Sequence, residues 1–125
     1  MKNENFFLTV VLYFIAAYAF AHGANDLILH GIIVDNACAE ANKNNLADFV
    51  KTHPKTCMLK PDCMKSGYSI YAEEGGKLYK FDEASNGAVA EFLKGPDNRT
   101  DVVIIAEKNG ELLMIESIKN RRIVK

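Results

Sequence analysis

The sequence predicts a mainly β domain: a five-stranded, OB-like Greek-key barrel with one helix between strands 3 and 4 and a cysteine-containing insert after strand 1. Three observations carry this expectation. Five runs of β-branched, aromatic or alternating apolar residues fall as one, then a long gap, then two pairs. Each pair is divided by a turn sequence, Gly75-Gly76 in the first and Lys108-Asn109-Gly110 in the second, as hairpins require. One helical pattern, at residues 85–94, separates the third run from the fourth. This order fits the barrel. It also admits an open α+β sheet with the helix packed on one face.

Taken in order, the chain begins with an apolar run at residues 6–21, FFLTVVLYFIAAYAFA, that ends on Ala19-Phe20-Ala21. Small residues at that spacing suit a signal peptidase, and the run is shorter than the roughly 20 residues that span a bilayer. The expectation is a signal peptide at residues 1–21, cleavage near Ala21, and a periplasmic or secreted protein. Membrane attachment is expected only if the leader stays uncleaved. Residues 22–125 then form a single domain large enough for one modest core. The net charge is −1. A near-neutral domain offers nucleic acid no general field, so the partner expected is an unknown protein or small ligand. The cationic tail of Lys119, Arg121, Arg122 and Lys125 reads as a frayed, solubilising end.

The first strand is expected from Leu27, in LILHGIIVD. The insert at residues 36–67 opens with an Ala- and Asn-rich stretch. There Leu46, Phe49 and Val50 have helical spacing, and Pro54, Pro61 and Gly67 then keep regular structure brief. Tyr68-Ser-Ile-Tyr-Ala and Lys77-Leu-Tyr-Lys-Phe form the first hairpin. The helix follows, capped by Ser85 or Asn86 and stopped by Gly95-Pro96. Residues 102–107 and 111–118 close the domain as the second hairpin.

The chemistry-bearing residues gather in the insert. All three cysteines are there, Cys38, Cys57 and Cys63, with His53 between the first two. In an oxidising compartment a pair of thiols within reach is normally bridged. All three are disulfide candidates, and pairing of Cys38 with Cys57 or Cys63 is favoured because it pins the insert to the first strand. The third thiol is either a buried, inert side chain or a ligand. No Cys-x-x-Cys exists for thiol oxidoreduction. Asp35, Cys38, His53, Cys57 and Cys63 form a candidate site for Zn or Cu, since thiolate, imidazole and carboxylate suit Zn(II) and thiolate with thioether (Met58, Met64) suits Cu(I). No resident cofactor is otherwise expected. His30 reads as a half-buried strand residue, and His22 matters only if cleavage exposes it. No Gly-x-Ser-x-Gly elbow or phosphate loop appears, so no enzyme is expected. Tyr68, Tyr71, Tyr79 and Phe81 lie on the surface OB barrels use for ligands, with about half of them expected to face the core.

These motifs resemble a family of small exported bacterial proteins predicted to adopt OB-like barrels. The resemblance rests on Gly31-Ile-Ile-Val-Asp35-Asn-Ala-Cys38 against a Gly-x-Val-x-Asp-x-x-Cys opening, on His53-Pro-Lys-Thr-Cys57 and Cys63-Met-Lys-Ser-Gly67-Tyr68 in the insert, on Gly76-Lys-Leu-Tyr-Lys-Phe81, and on Ile115-Glu-Ser-Ile118. It spans nearly all of the domain. The opening departs conservatively, with Ile33 at the position of the family's Val. The resemblance implies fold and export; it brings no reaction with it. Residues and resemblance together suggest a non-enzymatic exported module whose insert is held by a disulfide, with metal binding as the alternative.

Overall fold

The structure, a computed structural model, describes residues 26–123, so the expected leader, His22 and Lys125 lie outside the described residues. Strand β1 (Asp26–Asp35) leads into four short helices, α1 (Asn36–Ala41), α2 (Leu46–Thr52), α3 (Lys55–Met58) and α4 (Pro61–Ser66). Strands β2 (Tyr68–Ala72) and β3 (Lys77–Phe81), helix α5 (Glu83–Lys94), and strands β4 (Asp101–Asn109) and β5 (Leu112–Asn120) follow. The five strands make one mixed sheet that returns on itself through the neighbour order β1-β2-β3-β5-β4. Four pairings are antiparallel. The fifth, between β3 and β5, is parallel and consists of Lys80 opposite Leu112 and Phe81 opposite Leu113.

Strand β1 serves two neighbours, pairing with β4 over residues 26–32 and with β2 over residues 31–35. The changeover falls on Gly31. A Cβ there would stand 2.3 Å from the carbonyl oxygen of Tyr71, so only glycine lets the two backbones approach this closely.

Period-two alternation sorts the side chains. Ile33, Tyr68, Ile70, Phe81, Val102, Ile104 and Leu113 face one core, which Val89 and Leu93 of α5 and Met58 of α3 complete. Burying each such side chain contributes about 1.5–3 kcal/mol. The intervening residues face outward: Ile32 and Val34 of β1, Tyr71 of β2 and Leu78 of β3 pack under Ala39, Leu46, Phe49 and Val50 of the insert. The insert is thus a lid over the outer face of β1–β3, with an apolar core of its own.

Several expectations are corrected. The domain is not mainly β, because helical residues are as numerous as strand residues and the insert is helical rather than irregular. The helical spacing of Leu46, Phe49 and Val50 is that of α2, which a further helix, α1, and a 3-10 turn at Lys43–Asn45 precede. Helix α5 begins two residues before Ser85: Asp82 is its N-cap, and Asp82 Oδ1 accepts from Ser85 N at 2.8 Å. The second hairpin turns on Gly110-Glu111, one residue later than Asn109-Gly110, since Asn109 still pairs with Leu112; Gly110, at φ 65°, supplies the left-handed turn residue. His30 is exposed rather than half-buried. Within the expected cationic tail, Arg121 is held. Arg121 Nη1 lies 2.6 Å from Glu73 Oε2, and its backbone N–H donates to Asp101 O at 3.0 Å. No helix among the described residues is long and apolar enough to cross a membrane.

Candidate functional site

The site forms where the insert leaves the sheet. Asp35 is the last residue of β1 and the N-cap of α1, with extended backbone (φ −75°, ψ 146°). Its Oδ2 accepts from Cys38 N at 3.0 Å, satisfying one of the orphan donors of the helix start. The other oxygen, Oδ1, stands 2.9 Å from His53 Nε2. Asp35 is 0% exposed, and the His53 side chain only 7%.

Local sequence explains why His53 reaches back. The residue before a proline is disfavoured in helical conformation, and Pro54 follows His53. The histidine therefore ends α2 in an extended state (φ −71°, ψ 114°) while its N–H still donates to Phe49 O at 3.0 Å. Its ring lies against Phe49, with centroids 4.6 Å apart and planes 30° off parallel. This contact aims the imidazole at the end of β1.

Cys38, in the first turn of α1, completes the group. The donor atoms of Asp35, Cys38 and His53 all lie within 4.8 Å of one another. Cys63 of α4 adjoins them across the α1–α4 contact, its carbonyl accepting from the Ser66 hydroxyl that also accepts from Ala37 N, the residue before Cys38. Polar contacts clamp α4 to α1: Asn36 Nδ2 donates to Ser66 O at 2.9 Å, and Ser66 Oγ accepts from Ala37 N at 3.1 Å while donating to Cys63 O at 2.7 Å.

The carboxylate governs the electrostatics. Burial alone would raise the Asp35 pKa, but hydrogen bonds from Cys38 and His53 outweigh it and hold the group below its usual value. Burial pushes the Cys38 thiol up to about 12, and the adjacent Asp35 charge adds to the effect. Cys63 is raised by burial and then by Asp35, and Tyr68 rises to about 12 for the same two reasons. Asp35 thus behaves as a buried, ionised carboxylate with two thiols held protonated around it.

That arrangement is a poor nucleophile. An activated thiol needs a base or a cation beside it. Here the neighbour of Cys38 is the Asp35 carboxylate, and the imidazole occupies that carboxylate's other oxygen. The same donors are a suitable mixed set for a divalent cation. One carboxylate, one imidazole and one thiol match zinc's ligand preferences, and a cation placed among them reverses the electrostatics that keep the thiol protonated.

The structure brings together Asp35, Cys38 and His53, places Cys63 beside them, and leaves Cys57 out. Cys57 belongs to α3, a separate helix beyond Pro54, so it shares no helical face with His53. The expected disulfide is not formed; all three cysteines are free thiols. The aromatic ligand face is also corrected. Tyr68 and Phe81 are 1% and 3% exposed and belong to the core. The Tyr68 hydroxyl is spent on Met58 O at 2.8 Å. Tyr79 packs against the core with Lys77 Nζ 5.1 Å from its ring centre. Tyr71 lines a cavity of about 340 Å³ between α2 and strands β1 and β2. Sequence reasoning missed Ser66, the clamp between α1 and α4, and the Arg121–Glu73 pair at the rim of that cavity. It also missed the second role of Asp35 as helix cap, which an Asp directly after a β-branched run signals. Compared with family models, curated proteins and solved structures, the chain finds no significant match.

Proposed function

We propose that this chain binds a transition metal, zinc before copper, through Asp35, Cys38 and His53. The observation that carries the proposal is the convergence of three different donor types from β1, α1 and the end of α2 on one buried point. Asp35 and His53, 18 residues apart, already face each other at 2.9 Å. Two light-atom ligands at about 2.0–2.1 Å from zinc, at a tetrahedral angle, stand about 3.3 Å apart. The pair therefore needs to open by only a few tenths of an ångström as the cation replaces their shared proton. Copper(I) fits less well, because the soft thioether of Met58 is sealed in the core and that of Met64 packs against it.

The strand order, with α5 between β3 and β4, supports an OB-type Greek-key barrel as the scaffold. The apolar residues 6–21 support export. The role is then non-catalytic: capture, storage or delivery of the metal. Elemental analysis of the purified chain tests it, with one zinc per chain expected and loss on Cys38→Ser or His53→Ala. Zinc at a hundred times its Kd stabilises the fold by about 2.7 kcal/mol. Absence of both metal and thermal shift overturns the proposal.

A second reading rests on the cavity beside Tyr71, whose floor is Ile32 and Val50 and whose rim is Glu73, Asp101 and Arg121. It makes the domain a binding module for a protein segment or small ligand. Such a module keeps its partner when His53 is replaced by Ala, whereas a metal-dependent one does not.

A further inference from the structure

The metal-donor set uses only one of two neighbouring thiols. Cys38 is a donor, and Cys63 lies across the α1–α4 contact from it, two hydrogen bonds through Ser66 joining the Cys63 carbonyl to Ala37 N. Ser66 fixes that contact from both sides, bonded to Ala37 of α1 and to the Cys63 carbonyl. Resting on the metal reading above, we propose that a reversible Cys38–Cys63 disulfide competes with the metal, so that the site is open when the pair is reduced and closed when it is oxidised.

The chemistry is two thiol–disulfide exchanges. One cysteine thiolate attacks an oxidising disulfide of low-molecular-weight or protein origin, forming a mixed disulfide and expelling one thiolate. The second cysteine thiolate attacks the mixed disulfide at the protein sulfur and expels the other. Two cysteine thiols give up two electrons and two protons, and the oxidant leaves as two thiols. The oxidised site retains Asp35 and His53, which pair with each other at 2.9 Å, and lacks its sulfur donor. In the other direction, a metal-bound Cys38 sulfur has its lone pair engaged and attacks slowly, so metal protects the pair.

The same geometry explains why a bridge and a metal site read as rivals in the sequence. Both draw on Cys38. The insert is anchored either by a covalent bond between α1 and α4 or by a cation joining β1, α1 and the end of α2. Cys57, outside the donor group, remains a thiol in both states.

The test uses the full chain, its Cys57→Ser variant and its Cys63→Ser variant in glutathione redox buffers. Zinc affinity is measured by competition with a chromophoric chelator, and peptide mass spectrometry separates internal bridges from mixed disulfides. Oxidation is expected to link Cys38 to Cys63, to weaken zinc binding by more than about tenfold, and to be undone by dithiothreitol. Zinc-loaded chain oxidises more slowly than metal-free chain, and Cys63→Ser binds zinc without responding to the redox buffer. Cys57→Ser behaves as the parent. A linked peptide containing Cys57, or a Cys38–Cys63 bridge that leaves affinity unchanged, overturns the competition while leaving metal binding intact. Failure of Cys63→Ser to bind zinc makes Cys63 a ligand and overturns it equally. Failure of the reduced parent chain to bind zinc removes the metal reading itself, and this proposal with it, whatever bridge forms.

Discussion

Replacing Asp35 by Ala removes two contacts at once, and the structure sets the size of the loss. The Oδ2 bond to Cys38 N is a helix N-cap, worth about 1 kcal/mol. The Oδ1 contact to His53 is a buried hydrogen bond to a charged group, worth about 1.5–3 kcal/mol. Together they predict a loss of about 3 kcal/mol, a fall in Tm of about 12–24 °C for a domain of this size. Asp82→Ala is the internal control. Asp82 caps α5 through one bond of 2.8 Å to Ser85 N and has no histidine partner, so about 1 kcal/mol is expected. Thermal and urea unfolding followed by circular dichroism measure both. Asp35→Asn adds a pH test. The folded Asp35 pKa lies below its unfolded value, so its contribution is fully present above about pH 4 and is lost as pH falls through the folded value. The gap between parent and Asp35→Asn therefore closes on acidification. An Asp35→Ala loss no larger than that of Asp82→Ala, or a gap independent of acid, refutes the assigned role of Asp35.

Three further outcomes are expected. With its thiol pKa pushed up to about 12, Cys38 reacts with iodoacetamide at pH 8 far more slowly than in the urea-unfolded chain, and Asp35→Asn speeds it; equal rates for folded and unfolded chain contradict this. Tyr68→Phe leaves the Met58 carbonyl without its buried donor and costs about 1 kcal/mol in urea unfolding, with the native circular dichroism spectrum retained. Gly31→Ala drives a methyl to within 2.3 Å of Tyr71 O and costs at least the 1–3 kcal/mol typical of overpacking; a melting temperature equal to the parent's would show that β1 and β2 can part at no cost.

The strands were legible because each leaves a periodic trace. Ile33 and Val34 point to different cores, as do Ile70 and Tyr71, and alternation survives because both faces of β1 and β2 are covered. The insert was less legible. Its helices are one or two turns long, too short for periodicity to declare them, and are held by packing on Ile32, Val34 and Tyr71 rather than by propensity. The site was readable as a composition, carboxylate, thiols and imidazole close in sequence, but not as a geometry. Which cysteine joins Asp35 and His53 depends on where Pro54 ends α2 and on Ser66 joining α4 to α1, and neither distance is written in residue spacing. Of the two pairings expected for Cys38, the fold seats Cys57 on a separate helix and brings Cys63 alongside, with all three thiols free. The helix caps were misplaced by a smaller margin, since Asp82 outcompetes Ser85 by lying at the end of β3 with extended backbone (φ −72°, ψ 171°).

The two-residue join between β3 and β5 has a consequence for how the ring comes apart. Its other four joins are antiparallel and longer, and that between β4 and β5 is a local hairpin that forms early at little entropic cost. The β3–β5 join links distant segments through two residue pairs, Lys80 with Leu112 and Phe81 with Leu113, and one further bond from Asp82 N to Leu113 O. It is the last to close during folding and the first to fray, and amide exchange should be fastest there within the sheet. Once parted, it presents two raw strand edges bordered by the part-exposed Leu112 and Met114, the kind of surface that recruits a second chain. Lys77, Lys80 and Lys108 cluster around this spot. With Glu111 among them, three cations against one carboxylate leave the spot net positive, which disfavours pairing of one opened copy with another.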